Sequence, residues 1–250
     1  MSVTPESVFA ERRRIRDVYR RRASHEVKYA PWQPGEELMR ASRRRRAIAL
    51  LREAGVFPGP GEPCLEVGCG ALGWLADLLS WGLRTSDLHG IDLDPARIAR
   101  AKEALPGADL RTGDASALPW PDDTFRLVIA STVFTSVLDG DVRVALAGEM
   151  TRVVAPGGAV LVYDFRVPSP GNHDVRPLSA RELRRLFPTL DGSIASVTLA
   201  PPLARAVAPV SDVLAALLEA LPFLRTHLLA VLVKGGPPRA DASAAGWEDL

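Results

Sequence analysis

Cysteine is scarce: Cys64 and Cys69 are the only two in 250 residues. Two thiols this close form no disulfide framework, and no Cys/His cluster has the spacing of a zinc site. Long apolar runs are missing too. The longest charge-free stretches, 127–138 and 193–204, are about a dozen residues, where a membrane span needs about 20. The N-terminus begins polar and then turns charged, so no signal peptide is expected. These absences predict a soluble protein of a reducing compartment, the cytoplasm. Lysine is nearly absent as well, with Lys28, Lys102 and Lys234 among 31 basic residues. Beside so much Ala and Pro, the arginine excess reads as GC-rich codon usage. There is no internal repeat, and a formal net charge of +1 argues against a globally basic nucleic-acid binder.

What is present suits an ordinary globular chain, 47% hydrophobic and 24% charged. A chain of this length buries roughly 70–75% of its unfolded surface and needs no covalent staple. The near-neutral total hides a split. Residues 1–54 carry 14 Lys/Arg against 7 Asp/Glu, and residues 55–250 carry 17 against 23. Apolar spacing predicts helices over 6–24 and 36–54, separated by the Pro- and Gly-containing break at 30–35. From Pro63 onward, strands are predicted at 64–67, 88–91, 109–111, 127–131, 159–163, 194–199 and 227–233. Helices are predicted at 72–81, 96–105, 142–154, 181–187 and 211–221. Strand–helix alternation of this kind means parallel strands joined by right-handed crossovers. The expected organisation is an N-terminal helical arm or lid (1–57), an α/β domain (58–234) and a flexible tail (235–250).

Three strand ends carry the chemistry. The first is the run LEVGCGALG from Leu65 to Gly73, which follows a strand and opens a helix. Its glycines allow a tight turn and close backbone approach to a ligand. Gly68, Gly70 and Gly73 fit G-x-G-x-x-G, with Asp92 19 residues after Gly73, so by this test alone the ligand is NAD. Glu66 at the strand tip argues otherwise, because a carboxylate there repels phosphates and attracts an ammonium or sulfonium. The second strand end is GIDLDP (90–95). Asp92 there can accept from both ribose hydroxyls, while Asp94 before Pro95 reads as a helix cap. The third is Gly113-Asp114-Ala115, ahead of LPWPDDTF. Asp114 can accept from an adenine amino group, and the following N–H can reach a ring nitrogen; the alternative is a turn aspartate.

In this order, together with MTRVVAPGG (150–158), these segments resemble the successive motifs of class I S-adenosylmethionine-dependent methyltransferases, most of all the small-molecule methyltransferase group. The resemblance spans roughly 63–164. It implies an α/β, Rossmann-like, seven-stranded, mostly parallel sheet with an antiparallel last strand, helices on both faces and an N-terminal helical lid. It also implies S-adenosyl-L-methionine as cofactor. Glu66 and the loop Gly68-Cys69-Gly70 would sit at the methionine end and ribose, Asp92 on the ribose hydroxyls, and Leu93 against adenine. Asp114 and Ala115 would read the adenine edge, and Ser131 with Thr132 would line the methionine side. Tyr29, with Tyr19 and Trp32, belongs to the arm that closes over the cofactor. One departure is Arg126, where the family usually has an acid. The fourth strand ends Ala-Ser-Thr-Val and not in the Asn/Asp-Pro-Pro-aromatic motif of base methylation, which makes a nucleic-acid target unexpected. No metal is expected.

The expected reaction is methyl transfer to a small-molecule acceptor, on oxygen, such as a sugar or natural-product hydroxyl. A hydroxyl needs a positioned base and a phenol or carboxylate needs little or none. The base candidates lie beyond the fifth strand. His173 is either a base or a surface histidine, and Asp164 is either a base or an acid pairing with Arg166. Thr135 and Ser136 either hold an acceptor or cap the next helix. The arginine clusters 12–14, 20–22 and 43–46 either attract an anionic acceptor or form solvated helix faces. A homodimer is compatible with the sequence. The competing functions are a cofactor-binding but inactive partner subunit and an NAD-dependent oxidoreductase.

Overall fold

Runs such as CLEV and RLVIAS leave no face of the strand polar, as expected where helices cover a parallel sheet on both sides. The computed structural model describes residues 5–22, 30, 32–168 and 172–236, and it builds these runs into one seven-stranded sheet. In chain order the elements are α1 (Pro5–Arg22), α2 (Pro34–Glu53), β1 (Cys64–Val67), α3 (Leu75–Ser80), β2 (Leu88–Asp92), α4 (Pro95–Ala104), β3 (Asp109–Thr112), β4 (Phe125–Ser131), α5 (Gly140–Val153), β5 (Val154–Phe165), α6 (Ala180–Leu186), β6 (Leu190–Leu199), α7 (Pro201–Val207), α8 (Asp212–Ala220) and β7 (Arg225–Lys234). The strand order is β3-β2-β1-β4-β5-β7-β6. β7 pairs antiparallel with both β5 and β6, so the other six strands run one way and only the last runs against them.

Alternate side chains divide the core into two layers. Cys64, Leu88, Leu127 and Leu161 face one way and meet Leu50 and Leu51 of α2, Leu75 and Leu78 of α3 and Ile98 of α4. Leu65, Val67, Val128 and Val160 face the other way and meet Leu146 and Met150 of α5 and Leu183 of α6. α2 therefore packs on the sheet, against β6, β7 and α7.

Several predicted boundaries move, the strand expected at 194–199 among them, which begins at Leu190. The helix expected at 72–81 begins only at Leu75, because the glycine loop turns through Gly73 (φ 41°) and occupies the first positions. Residues 201–207, unassigned from the sequence, form α7: Pro201 and Pro202 occupy its first turn, where a missing N–H costs nothing. β5 also extends back to Val154 through a register shift opposite Phe125 and Leu127. Among the described residues, no helix is long and apolar enough to cross a membrane.

Candidate functional site

Parallel strands direct their loops to the carboxyl edge of the sheet, and β1 to β4 end side by side there. A cavity of about 420 Å3 opens at that edge, within the range of ~300–1,000 Å3 that small-molecule sites occupy. Gly68, Asp92, Leu93, Asp114, Ala115 and Ser131 all line it. The loop after β1 is drawn in tightly, with the N–H groups of Gly68 and Cys69 donating to the Ile91 carbonyl at 2.8 and 3.2 Å. Gly68 has φ 69°, and a Cβ there would stand 2.7 Å from Val133 Cγ2, so the loops after β1 and β4 meet at a distance only glycine permits. Thr132, beside Val133, is held at φ 56°, an unfavourable region for a β-branched residue, with its N–H donating to the Tyr163 carbonyl at 2.8 Å.

Asp92 joins two loops through one carboxylate. Oδ2 accepts from Gly70 N and Oδ1 from Asp94 N, both at 2.9 Å. Asp94 caps α4 by accepting from Ala96 N at 2.9 Å, and its side chain also reaches the cavity. Asp114 accepts from Ser116 N at 2.8 Å and faces Arg12 Nε at 3.4 Å.

Arg12 belongs to α1, which roofs the cavity with Ile15 and Tyr19. Glu11 ties this helix down, accepting from Leu138 N at 2.5 Å and from Arg14 at 2.8 and 2.9 Å. Burial opposes the charge of Glu11, but Arg14 and the Leu138 N–H outweigh it and hold the carboxyl below its usual range. The Tyr19 hydroxyl lies 3.2 Å from Ser136 Oγ, and the Arg97 guanidinium stacks over the Tyr19 ring at 4.3 Å. No strand-end motif announces these roof residues. The signal available was the i, i+4, i+8 series Glu11, Ile15 and Tyr19, which places them on one helix face.

Other expected site residues lie elsewhere. Glu66 is buried beneath the glycine loop and does not line the cavity. Its Oε2 accepts from Trp74 N and Leu75 N at 2.7 and 3.1 Å, anchoring the start of α3. A Cβ at Gly73 would fall 2.3 Å from its Oε1. Burial pushes the Glu66 carboxyl up to about 8. The expectation that this carboxylate faces the cofactor is thus corrected: the acidic lining consists of Glu11, Asp92, Asp94 and Asp114. The Cys69 side chain is buried against Gly90, and burial drives its thiol far up, away from nucleophilic character. Gly70 contributes its N–H to Asp92 and does not border the cavity itself.

Neither base candidate reaches the cavity. Asp164 is fully buried and accepts from Thr135 N (3.1 Å), Thr135 Oγ1 and Phe165 N (2.9 Å), with burial pushing its carboxyl up to about 7. It ties the end of β5 to the turn Phe134–Ser136 and makes no pair with Arg166, which donates to the Arg225 carbonyl. His173 is exposed in the loop before α6 and does not border the cavity. The helix cap sought in Thr135 and Ser136 is Asp139, which accepts from Asp141 N and Val142 N; Ser136 instead lines the cavity. Arg126 closes its own surroundings by donating to the carbonyls of Gly55 and Gly157. Tyr29 lies outside the described residues, as does the segment 237–250. Among the described residues, no group of His, Cys, Asp and Glu could hold a metal ion.

Comparison with known proteins adds independent observations. Residues 64–158 match the family model described as "Methyltransferase domain". A "Probable S-adenosylmethionine-dependent methyltransferase" of Mycolicibacterium smegmatis is 34% identical over 137 residues, covering 52% of this chain and 51% of that protein. The demethylmenaquinone methyltransferase of Bacillus mycoides is 30% identical over 115 residues, covering 44% of this chain and 47% of that one. The chain therefore spans about half the length of the curated relatives it matches. The fold is shared with geranyl diphosphate C-methyltransferase from Streptomyces coelicolor, at a TM-score of 0.58 and 18% identity, over 76% of this chain and 80% of that one.

Proposed function

We propose that residues 64–158, which match the family model described as "Methyltransferase domain", form a class I S-adenosylmethionine-dependent methyltransferase domain, and that the chain transfers a methyl group from S-adenosyl-L-methionine to a small-molecule acceptor. One observation carries the reading. Asp92 and Asp114, from different strand ends, share one cavity with the constricted Gly68 turn. These acceptor carboxylates fit a cationic, ribose-bearing cofactor. Asp92 would hold the ribose hydroxyls, Leu93 would flank the adenine, and Asp114 with the Ala115 N–H would take its edge. Gly68 and Ser131 would border the methionine end. The cofactor supplies an electrophilic methyl on sulfur. The chain's own part is to align acceptor and methyl under α1 and to exclude water.

We assign the acceptor atom to oxygen, on a molecule acidic enough to ionise by itself, such as a phenol or enol. The support is the cavity wall. Its described carboxylates are engaged by backbone N–H groups, Glu11 is held below its usual range by Arg14, and no histidine borders it. An alkyl or sugar hydroxyl would lack a positioned base there. The two free, buried thiols suit a reducing cytoplasm.

Calorimetric titration tests the cofactor. S-adenosylhomocysteine should bind and NAD should not, and the reverse result overturns the reading. Labelled methyl transfer to a panel of phenols and sugars then tests the acceptor. Product should appear with phenols and rise with the phenolate fraction, and transfer to sugars alone would reject that assignment.

A further inference from the structure

Seven of the ten large hydrophobic residues exposed among the described residues fall within 203–223: Leu203, Val210, Val213, Leu214, Leu217, Leu221 and Phe223. Val213, Leu217 and Leu221 stand at i, i+4 and i+8, with Leu214 alongside, so α8 presents an apolar stripe outward. Its inward side is lighter, with Ala215 buried and Leu218 packed on Met39, Leu199 and Ala204. A helix facing only water would be expected the other way round. Val210 and Phe223 at either end are 79% and 78% exposed, which extends the apolar surface beyond the helix.

The flank of this surface is basic. Arg45 and Arg46 of α2 and Arg225 share a cavity of about 490 Å3 with Ala216 and Ala220 of α8. Arg45 is exposed and, among the described residues, makes no ion pair, Arg46 is exposed and lies 3.8 Å from Glu53, and Glu219 is the one acid in the same cavity wall. α2 carries six Arg against three Glu, while residues 55–250 are acidic on balance. Apolar side chains beside exposed guanidinium groups are the two signals that hold a protein on an anionic bilayer.

We propose that α7, α8 and the turn Pro222–Leu224 dock this chain on an anionic lipid surface, with Val213, Leu217 and Phe223 entering the acyl boundary and Arg45 and Arg46 meeting headgroup phosphates. A lipid surface is favoured over a second copy because headgroup phosphates would neutralise the exposed Arg45 and Arg46 flank beside the apolar stripe. Topology places the face usefully. β6 runs parallel to β1–β4, so α7 leaves it at the carboxyl edge. β7 runs the opposite way, so the turn before it lies at that edge as well. The 420 Å3 cavity opens at the same edge. The docking does not depend on the reaction proposed above.

Co-sedimentation of the intact chain with phosphatidylglycerol-containing vesicles and with pure phosphatidylcholine vesicles tests it. Binding should favour the anionic vesicles by about tenfold or more and should weaken in high salt. A double variant, V213E with L217E, should lose binding by about tenfold or more at these solvent-facing positions while keeping its melting temperature and S-adenosylhomocysteine affinity. R45E with R46E should lower binding to the anionic vesicles only. Failure of the folded wild type to sediment with anionic vesicles overturns the proposal. So does a dimer on size exclusion that L217E dissociates without changing vesicle binding, since the face would then belong to a second copy.

Discussion

Asp92 shows how much one carboxylate can carry. Its two oxygens hold the loops after β1 and β2 together while the side chain faces the cavity. Asp92→Ala removes both bonds and the charge offered to the cofactor. The loss expected is roughly 1.5–3 kcal/mol, about 10- to 150-fold in S-adenosylhomocysteine affinity by calorimetry. Asp94→Ala removes a cap and should cost about 1 kcal/mol in urea unfolding with a smaller effect on affinity. Equal affinity losses for the two would contradict the division of roles. Gly68→Ala would place a methyl 2.7 Å from Val133 at φ 69° and should destabilise by about 1–3 kcal/mol. Asp94 was legible because a cap is a local matter of spacing before Pro95. Glu66 was not. Its position at the strand tip is readable, but whether the side chain reaches a ligand or the N–H groups of Trp74 and Leu75 depends on how the loop folds back over it.

At the scale of elements, the helix over 5–22 follows from apolar periodicity, but its docking does not. α1 is held over the cavity by Glu11 to Leu138, Tyr19 to Ser136 and Arg12 to Asp114, each separated by more than a hundred positions. Removing residues 1–22 should lower S-adenosylhomocysteine affinity by about tenfold or more, since it strips one wall and reopens the site to water. Far-UV circular dichroism should show the sheet retained, because the strands pack against α2–α6. Unchanged affinity would remove α1 from the binding site. α7 escaped the sequence reading because two prolines look like a break, although they are compatible with a helix's first turn.

For the whole molecule, the buried titratable groups set the response to pH. Burial raises Glu66 from 4.5 to about 8 and Asp164 from 3.8 to about 7. Within those intervals the folded state keeps protons that the unfolded chain has lost, so their contribution to stability falls as pH rises. Buried His227, lowered from 6.5 to about 3, acts oppositely: its contribution is lost as pH falls below 6.5. The sum predicts stability declining from about pH 5 to pH 8, by up to about 1.4 kcal/mol per pH unit for each carboxyl group. Glu66→Gln and Asp164→Asn should each flatten that slope in urea melts across the interval. A slope unaltered in both variants would refute the assignment.

The sequence by itself determined the strand–helix alternation, the glycine turn and the acids at the ends of β2 and β3, because each depends on neighbours a few positions away. Six of the seven strands run in the direction that alternation requires, and β7 lies antiparallel between β5 and β6. Tertiary structure alone decided which acids face the cavity and which are buried beneath it. It also set α1 over the site, withdrew Asp164 and His173 from it, and gathered an apolar surface from α7, α8 and the turn before β7. Those outcomes depend on contacts between segments far apart in the chain, which burial and hydrogen-bond satisfaction settle only when the whole sheet has formed.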